Sequence, residues 1–277
     1  MGAASCNCLL HGGIEETTKS HPVIIESSMM EVCDSSARCE RPLITLESGA
    51  QYTGQWLGCA QDGHGTQIWP DGARYEGDWV NGVAEGPGKL IHADGNMYQG
   101  EWLAGRAHGR GIFRHFDGST YDGWWLEDKR HGDGTEVWSD GAEYKGQFNR
   151  GSKHGTGRFA WADGSMYEGE FLQDQIHGEG VYTWSDGRRY EGQWANDRME
   201  GRGLFSWSDG RRYEGEYCSD QKEGHGIFVW PDGRKYDGQW KDGRQHGSGT
   251  HSTTKGEQRV GEWEEGRRIR WLPKENG

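Results

Sequence analysis

The sequence is short of aliphatic residues, of proline and of positive charge. Only 32% of its 277 residues are hydrophobic, against a usual ~45–50% counted with glycine, so no thick leucine-rich core is expected. Six prolines and the lack of a glycine triplet repeat exclude collagen. The formal net charge is −13, from 44 acids and 31 bases. That removes the basic footprint that nonspecific nucleic-acid binding needs, and it weakens any purely electrostatic hold on anionic lipid. The longest aliphatic run near the N-terminus is Val23-Ile24-Ile25, so neither a membrane span nor a secretory signal is expected. Six scattered cysteines do not make a disulfide framework, and the expected compartment is the reducing cytoplasm.

What is abundant is glycine and aromatic: 48 Gly, 15 Trp, 11 Tyr and 7 Phe. A disordered chain would be poor in rings. Every aromatic residue and 45 of the glycines lie beyond residue 45. Residues 1–45 are therefore expected to form a flexible arm, with Val23–Val32 as a short helix or an added strand. Beyond the arm runs a fixed period. Tyr52, Tyr75, Tyr98, Tyr121, Tyr144, Tyr167, Tyr190, Tyr213 and Tyr236 are each 23 residues apart, and Arg259 takes the next place. Glycine stands two residues after each, and an aromatic four after. Tyr75-x-Gly77-x-Trp79, Tyr98-x-Gly100-x-Trp102 and Tyr190-x-Gly192-x-Trp194 show the framework. A Gly-x-Gly pair and an Asp-Gly follow in register, giving nine full repeats and a tenth half.

Period two puts Tyr, Gly and Trp on one strand face, and Asp-Gly between two such runs marks a hairpin. Each repeat is thus a β-hairpin plus a linker. The bare glycine columns need a reason, and a ring from a neighbouring strand lying over them would supply it. The expected fold is all-β: an elongated single-layer antiparallel meander of about 20 strands over residues 46–266, coiled by strand twist into a trough. Residues 267–277, with Arg267-Arg268-Ile269-Arg270-Trp271-Leu272, would be the C-terminal cap and tail.

The unit Tyr-Glu-Gly-x-Trp, as in Tyr75-Glu76-Gly77-Asp78-Trp79, followed by His-Gly-x-Gly, as in His177-Gly178-Glu179-Gly180, and then Asp-Gly, resembles the MORN repeat. Phe148, Phe171 and Tyr217 depart from Trp, and Asp62, Glu85, Glu200 and Glu223 stand where other repeats have His. The resemblance implies a sheet whose groove binds protein segments, in ciliary, cytoskeletal or membrane-linked settings. Some relatives carry a lipid kinase or methyltransferase domain, for which no room is seen here.

Function must be sought in what departs from the repeat. The histidine column recurs at roughly 9–10 Å, too far for one metal ion, so no metal and no cofactor is expected. Gly-x-Gly occurs in every repeat with no helix behind it, unlike a phosphate loop. Any catalytic group would be copied in each repeat, so no enzyme is expected. Arg188, Arg189, Arg211, Arg212, Arg234 and Lys235 form a basic column. It is either a cross-strand ladder with Glu191, Glu214 and Asp237 or a docking stripe for an acidic partner or phospholipid. Trp124 lies on the face opposite the framework, beside the aromatic Phe113 and Phe116, as a contact anchor or as packing. Gly2 fits N-myristoylation although Cys6 holds the place of Ser or Thr, and Cys6 and Cys8 are palmitoylation candidates, against an ordinary processed N-terminus. Three functions follow. The first is a non-enzymatic scaffold that binds a peptide or helix in an aromatic groove, with self-association open and a membrane tether through the arm. The second is a peripheral membrane protein that binds phospholipid directly through the basic column. The third is a structural component of a ciliary or cytoskeletal assembly.

Overall fold

The computed structural model describes residues 37–273, which form two compact bodies divided between Ser152 and Lys153. Among these residues there is no helix. The N-terminal body contains β1 Arg38–Thr45, β2 Gln51–Leu57, β3 Ala60–Ile68, β4 Arg74–Val80, β5 Val83–Ile91, β6 Met97–Leu103, β7 Arg106–Arg114, β8 Thr120–Leu126, β9 Lys129–Val137 and β10 Glu143–Asn149. The C-terminal body contains all but the first residue of β11 Ser152–Ala160, and then β12 Met166–Leu172, β13 Gln175–Thr183, β14 Arg189–Ala195, β15 Arg198–Ser206, β16 Arg212–Cys218, β17 Gln221–Val229, β18 Lys235–Lys241, β19 Arg244–Ser252, β20 Gln258–Glu264 and β21 Arg267–Trp271. In each body every strand pairs antiparallel with its sequence neighbours, and those neighbours are also its packing partners. The layer is single, and its core is the Tyr–Gly–Trp face.

The sheet starts earlier than the change in composition. β1 lies within the segment read as an arm and pairs with β2, Cys39 opposite Trp56. The span Val23–Val32 lies outside the described residues. At the other end, β21 pairs with β20 and brings Trp271 edge-on to Trp263, 6.0 Å between centroids.

The linker of each repeat proves to be a second hairpin turn. Asn81 and Gly82 both have positive φ, 49° and 78°, the type I′ geometry that matches strand twist. The Asp-Gly turn is a three-residue loop. Trp69 N–H donates to the Ala73 carbonyl, Gly72 N–H donates to the Trp69 carbonyl, and Asp71 Oδ1 accepts from Ala73 N–H at 3.0 Å. The acids that replace His in four repeats brace the I′ turns. Asp62, Glu85, Glu200 and Glu223 accept from the turn amides of Asn81, Ala104, Ser219 and Asp242.

The two glycines of Gly-x-Gly do different things. Gly178, at φ 61°, makes the left-handed step of a bulge, which shifts register between Gly169 and Glu170. Gly180 is bare because the Tyr167 ring occupies the space of a side chain: a Cβ there would lie 2.2 Å from the phenol oxygen. Its cross-strand partner Gly169 is as tight, with Gly180 Cα 2.5 Å from a Cβ. Gly169→Val is expected to cost ~2–4 kcal/mol, because backbone rather than a movable side chain blocks it. In a one-dimensional array the loosening should stay near β12 and β13. Hydrogen exchange checks this: protection lost only in neighbouring strands fits, and uniform loss across both bodies does not.

Candidate partner-binding faces

Tyrosine sets the inner face. The ring of each framework tyrosine meets the aromatic four residues on at right angles, at centroid distances of 5.0–5.5 Å. Within each body it also meets the aromatic of the following repeat, as in Tyr52–Trp79 at 5.5 Å and Tyr190–Tyr217 at 5.2 Å. Edge-to-face pairs of this kind contribute about 0.5–1.5 kcal/mol each beyond burial. Each phenol donates to the carbonyl three residues ahead at 2.9–3.2 Å. Burial pushes the phenols of Tyr52 and Tyr236 up to about 12, so they stay protonated as donors. Tyr75, Gly77 and Trp79, Tyr98, Gly100 and Trp102, and Tyr190, Gly192 and Trp194 all belong to this framework, their rings buried.

Along the turn edge of the C-terminal body a second ring series is only half-buried. Trp161, Trp184, Trp207 and Trp230 alternate with the buried Tyr182, Phe205 and Phe228 at 4.4–5.7 Å. Here the basic column divides. Arg188, Arg211 and Arg234 stack on Trp184, Trp207 and Trp230 at 5.3–5.6 Å, and each bonds the Asp of its own turn at 2.7 Å. On the opposite face Arg189 pairs with Glu191 at 2.7 Å, and Lys235 with Asp237 at 3.8 Å. The expected partner of Arg212 was Glu214, and no ion pair joins them. The column is thus mostly a set of internal ion pairs rather than a stripe of free charge.

Trp124 stands on the outer face of β8, 47% exposed, with the Arg110 guanidinium 5.7 Å from its ring. It replaces a structural group. At the same place Gln55, Glu170, Gln193 and Gln239 accept from a bulge amide on the next strand at 2.9–3.3 Å, which an indole cannot do. Phe113 is buried, whereas Phe116 at the neighbouring turn is 75% exposed. Gly2, Cys6 and Cys8 lie outside the described residues.

The MORN-repeat model matches nine consecutive stretches, residues 52–74, 75–97, 98–120, 121–143, 144–166, 167–188, 190–211, 213–233 and 236–258. The chain belongs to the MORN-repeat family. No curated protein matches it. Among solved structures, it is 10% identical to the SAS-4 (dCPAP) TCP domain in complex with a proline-rich motif of Ana2 (dSTIL) of Drosophila melanogaster, covering 78% of this chain and 96% of that one with a TM-score of 0.31. It is 10% identical to the wild-type TCP10 domain of Danio rerio CPAP, covering 83% and 99%, TM-score 0.27. It is 14% identical to a selenomethionine-substituted virginiamycin B lyase from Staphylococcus aureus, covering 80% and 69%, TM-score 0.15. At such TM-scores neither a ligand nor a mechanism carries over.

One MORN repeat holds a feature that the sequence did not reveal. Lys222 of β17 puts its ammonium 5.0–5.2 Å from four rings, Trp207, Tyr213, Phe228 and Trp240. Burial, with Arg211 adding to it, pushes this amine from 10.5 down to about 8, while the four π-faces hold the cation in place. The folded chain therefore holds fewer protons than the unfolded one between about pH 8 and 10.5, and stability rises with pH across that window. Below it the chain bears the full cost, at most ~3 kcal/mol. Lys222→Met should thus be the more stable protein at pH 7, by ~1–3 kcal/mol, with the gap closing above pH 10. Denaturant melts at both pH values check this, and a gap that does not change with pH contradicts it. Trp124→Gln should restore the missing bulge bond and hold or raise stability by up to ~1 kcal/mol. A clear loss of stability would mean that Trp124 is packing and not a free anchor.

Proposed function

We propose that the protein is a non-enzymatic scaffold that holds segments of partner proteins on the aromatic side of its MORN repeats. The reading rests on the half-buried tryptophans of the turn edge. A chain that buries its framework rings almost completely leaves Trp161, Trp184, Trp207 and Trp230 only half-buried. Large rigid rings with a polar handle are the usual anchors of protein contacts. The ion pairs of Arg188, Arg211 and Arg234 argue for this over direct phospholipid binding, which needs unmatched charge. Repeat-locked columns argue against catalysis, which wants one pocket with tuned groups. The test is partner capture by the full chain and by a Trp184→Ser, Trp207→Ser variant shown to remain folded. Partners that wild type retains and the variant loses support the scaffold. Identical partner sets from both contradict it.

Gly2 with Cys6 and Cys8 completes the proposal as a tether to the cytoplasmic face of a membrane. One myristoyl chain binds only marginally and two acyl chains suffice. Fractionation with a C-terminal tag should find wild type with membranes, Gly2→Ala soluble, and Cys6→Ser with Cys8→Ser weakly bound. A soluble wild type, or a Gly2→Ala protein that stays on membranes, removes the tether.

A further inference from the structure

Resting on the scaffold reading, we infer that the aromatic face of the C-terminal body takes an acidic, proline-rich segment in the polyproline II conformation. Three observations carry this. The first is period. Trp184, Trp207 and Trp230 recur once per repeat, two strands apart, so ridges stand about 9–10 Å from one another. A polyproline II chain advances ~3.1 Å per residue with three residues per turn, or about 9.3 Å per turn. Every third residue then meets the same place between successive ridges. A helix laid across the strands advances ~10.5 Å in seven residues and drifts by about 1 Å at each ridge.

The second observation is relief. Each ridge is a half-buried indole extended by a stacked guanidinium: Trp184 with Arg188, Trp207 with Arg211, Trp230 with Arg234. Between ridges the floor is a buried phenylalanine, Phe205 at 5.2 and 4.4 Å from Trp184 and Trp207, then Phe228 at 5.7 and 4.8 Å from Trp207 and Trp230. A continuous row of rings, alternately half-buried and buried, suits proline. Its segment is already extended and loses little entropy on docking.

The third is charge. The ridge arginines are matched by Asp186, Asp209 and Asp232. On these rings Lys222 remains, against Trp207 and Phe228, and farther along Arg259 and Arg268 lie on Trp271 of β21. None of the three has an ion pair among the described residues. A carboxylate docked over Trp207 and Phe228 would supply the missing partner of Lys222. The face thus keeps a few unpaired cations in a chain whose net charge is −13.

The experiment titrates the full chain, by calorimetry and tryptophan fluorescence, with a capped peptide of four Pro-Pro-Glu triplets. The comparison ligands are four Pro-Pro-Lys triplets, a helical Ala/Glu peptide of equal length and charge, and phosphatidylserine vesicles. Saturable binding of the glutamate peptide is expected, at least about tenfold tighter than the lysine or helical peptide. Trp207→Ser and Lys222→Gln should each weaken it by about tenfold or more, and Trp124→Gln should leave it unchanged. Circular dichroism and hydrogen exchange confirm that the variants are folded. Silence from the glutamate peptide overturns the inference. So does equal binding of the helical peptide, binding that survives both Trp207→Ser and Lys222→Gln, or vesicle binding without peptide binding. A helical peptide that binds through Trp207 overturns the polyproline assignment while leaving the scaffold standing, whereas the scaffold itself fails only in the capture comparison.

Discussion

A tyrosine ring lying on bare backbone holds this molecule together. Within each body the ring fills the place of two absent side chains, its edge abuts a ring on either side, and its hydroxyl is fixed to a backbone carbonyl. Neither partner can change alone. A Cβ at Gly203 would fall 2.4 Å from the Tyr190 ring, and a smaller residue at Tyr190 would uncover two strands. This reciprocity explains why the tyrosine spacing holds at 23 residues through nine repeats. An insertion would take one ring off its glycines and break the ladder on both sides. It also explains how a chain so poor in aliphatic residues folds: the core is a ring thick and runs along the array, so no second layer is needed.

Such a core leaves much of the remaining surface free to vary, and the variation is where function is to be sought. At the position that caps the bulge in four repeats, β8 carries Trp124, which cannot accept the bond. At the position opposite the framework aromatic, the N-terminal body has Arg130 paired with Glu136, and the C-terminal body has Lys222 among four rings. Trp124 and Lys222 break a local rule at a cost to the repeat that carries them, which is the mark of a residue kept for another reason. The turn edge is treated in the same way, with tryptophans left half-open where a polar residue would close the loop equally well.

Much of this was legible in the sequence. The tyrosine period, the alternation and the Asp-Gly turns pointed to stacked hairpins, and the bare glycine columns pointed to rings above them. Three things were not legible, each for a physical reason. The second turn hides because its left-handed pair is Asn81-Gly82 in one repeat, Glu127-Asp128 in another and Gln173-Asp174 in a third. Only a backbone shows these to be equivalent. β1 hides because it is an edge strand with no ring of its own, supported by pairing with β2 and by Arg41 lying 5.0 Å from Trp56. The cage around Lys222 hides because its walls come from residues 207, 213, 228 and 240, brought together only when strands stack. The basic column was visible as charge, but its split into turn-bound and face-bound halves depends on which side of the strand each arginine takes.

The dependence of glycine on tyrosine can be measured directly by a double-mutant cycle at Gly180 and Tyr167. The three atoms nearest to a Cβ at Gly180, at 2.2–2.6 Å, all belong to the Tyr167 ring. Gly180→Ala should therefore cost ~2–3 kcal/mol in wild type and far less where Tyr167→Ala has removed the ring, a coupling of ~1–3 kcal/mol by denaturant unfolding. Additive costs would mean that the glycine column answers to backbone geometry alone, and that the ring-on-glycine contact is not what organises the fold.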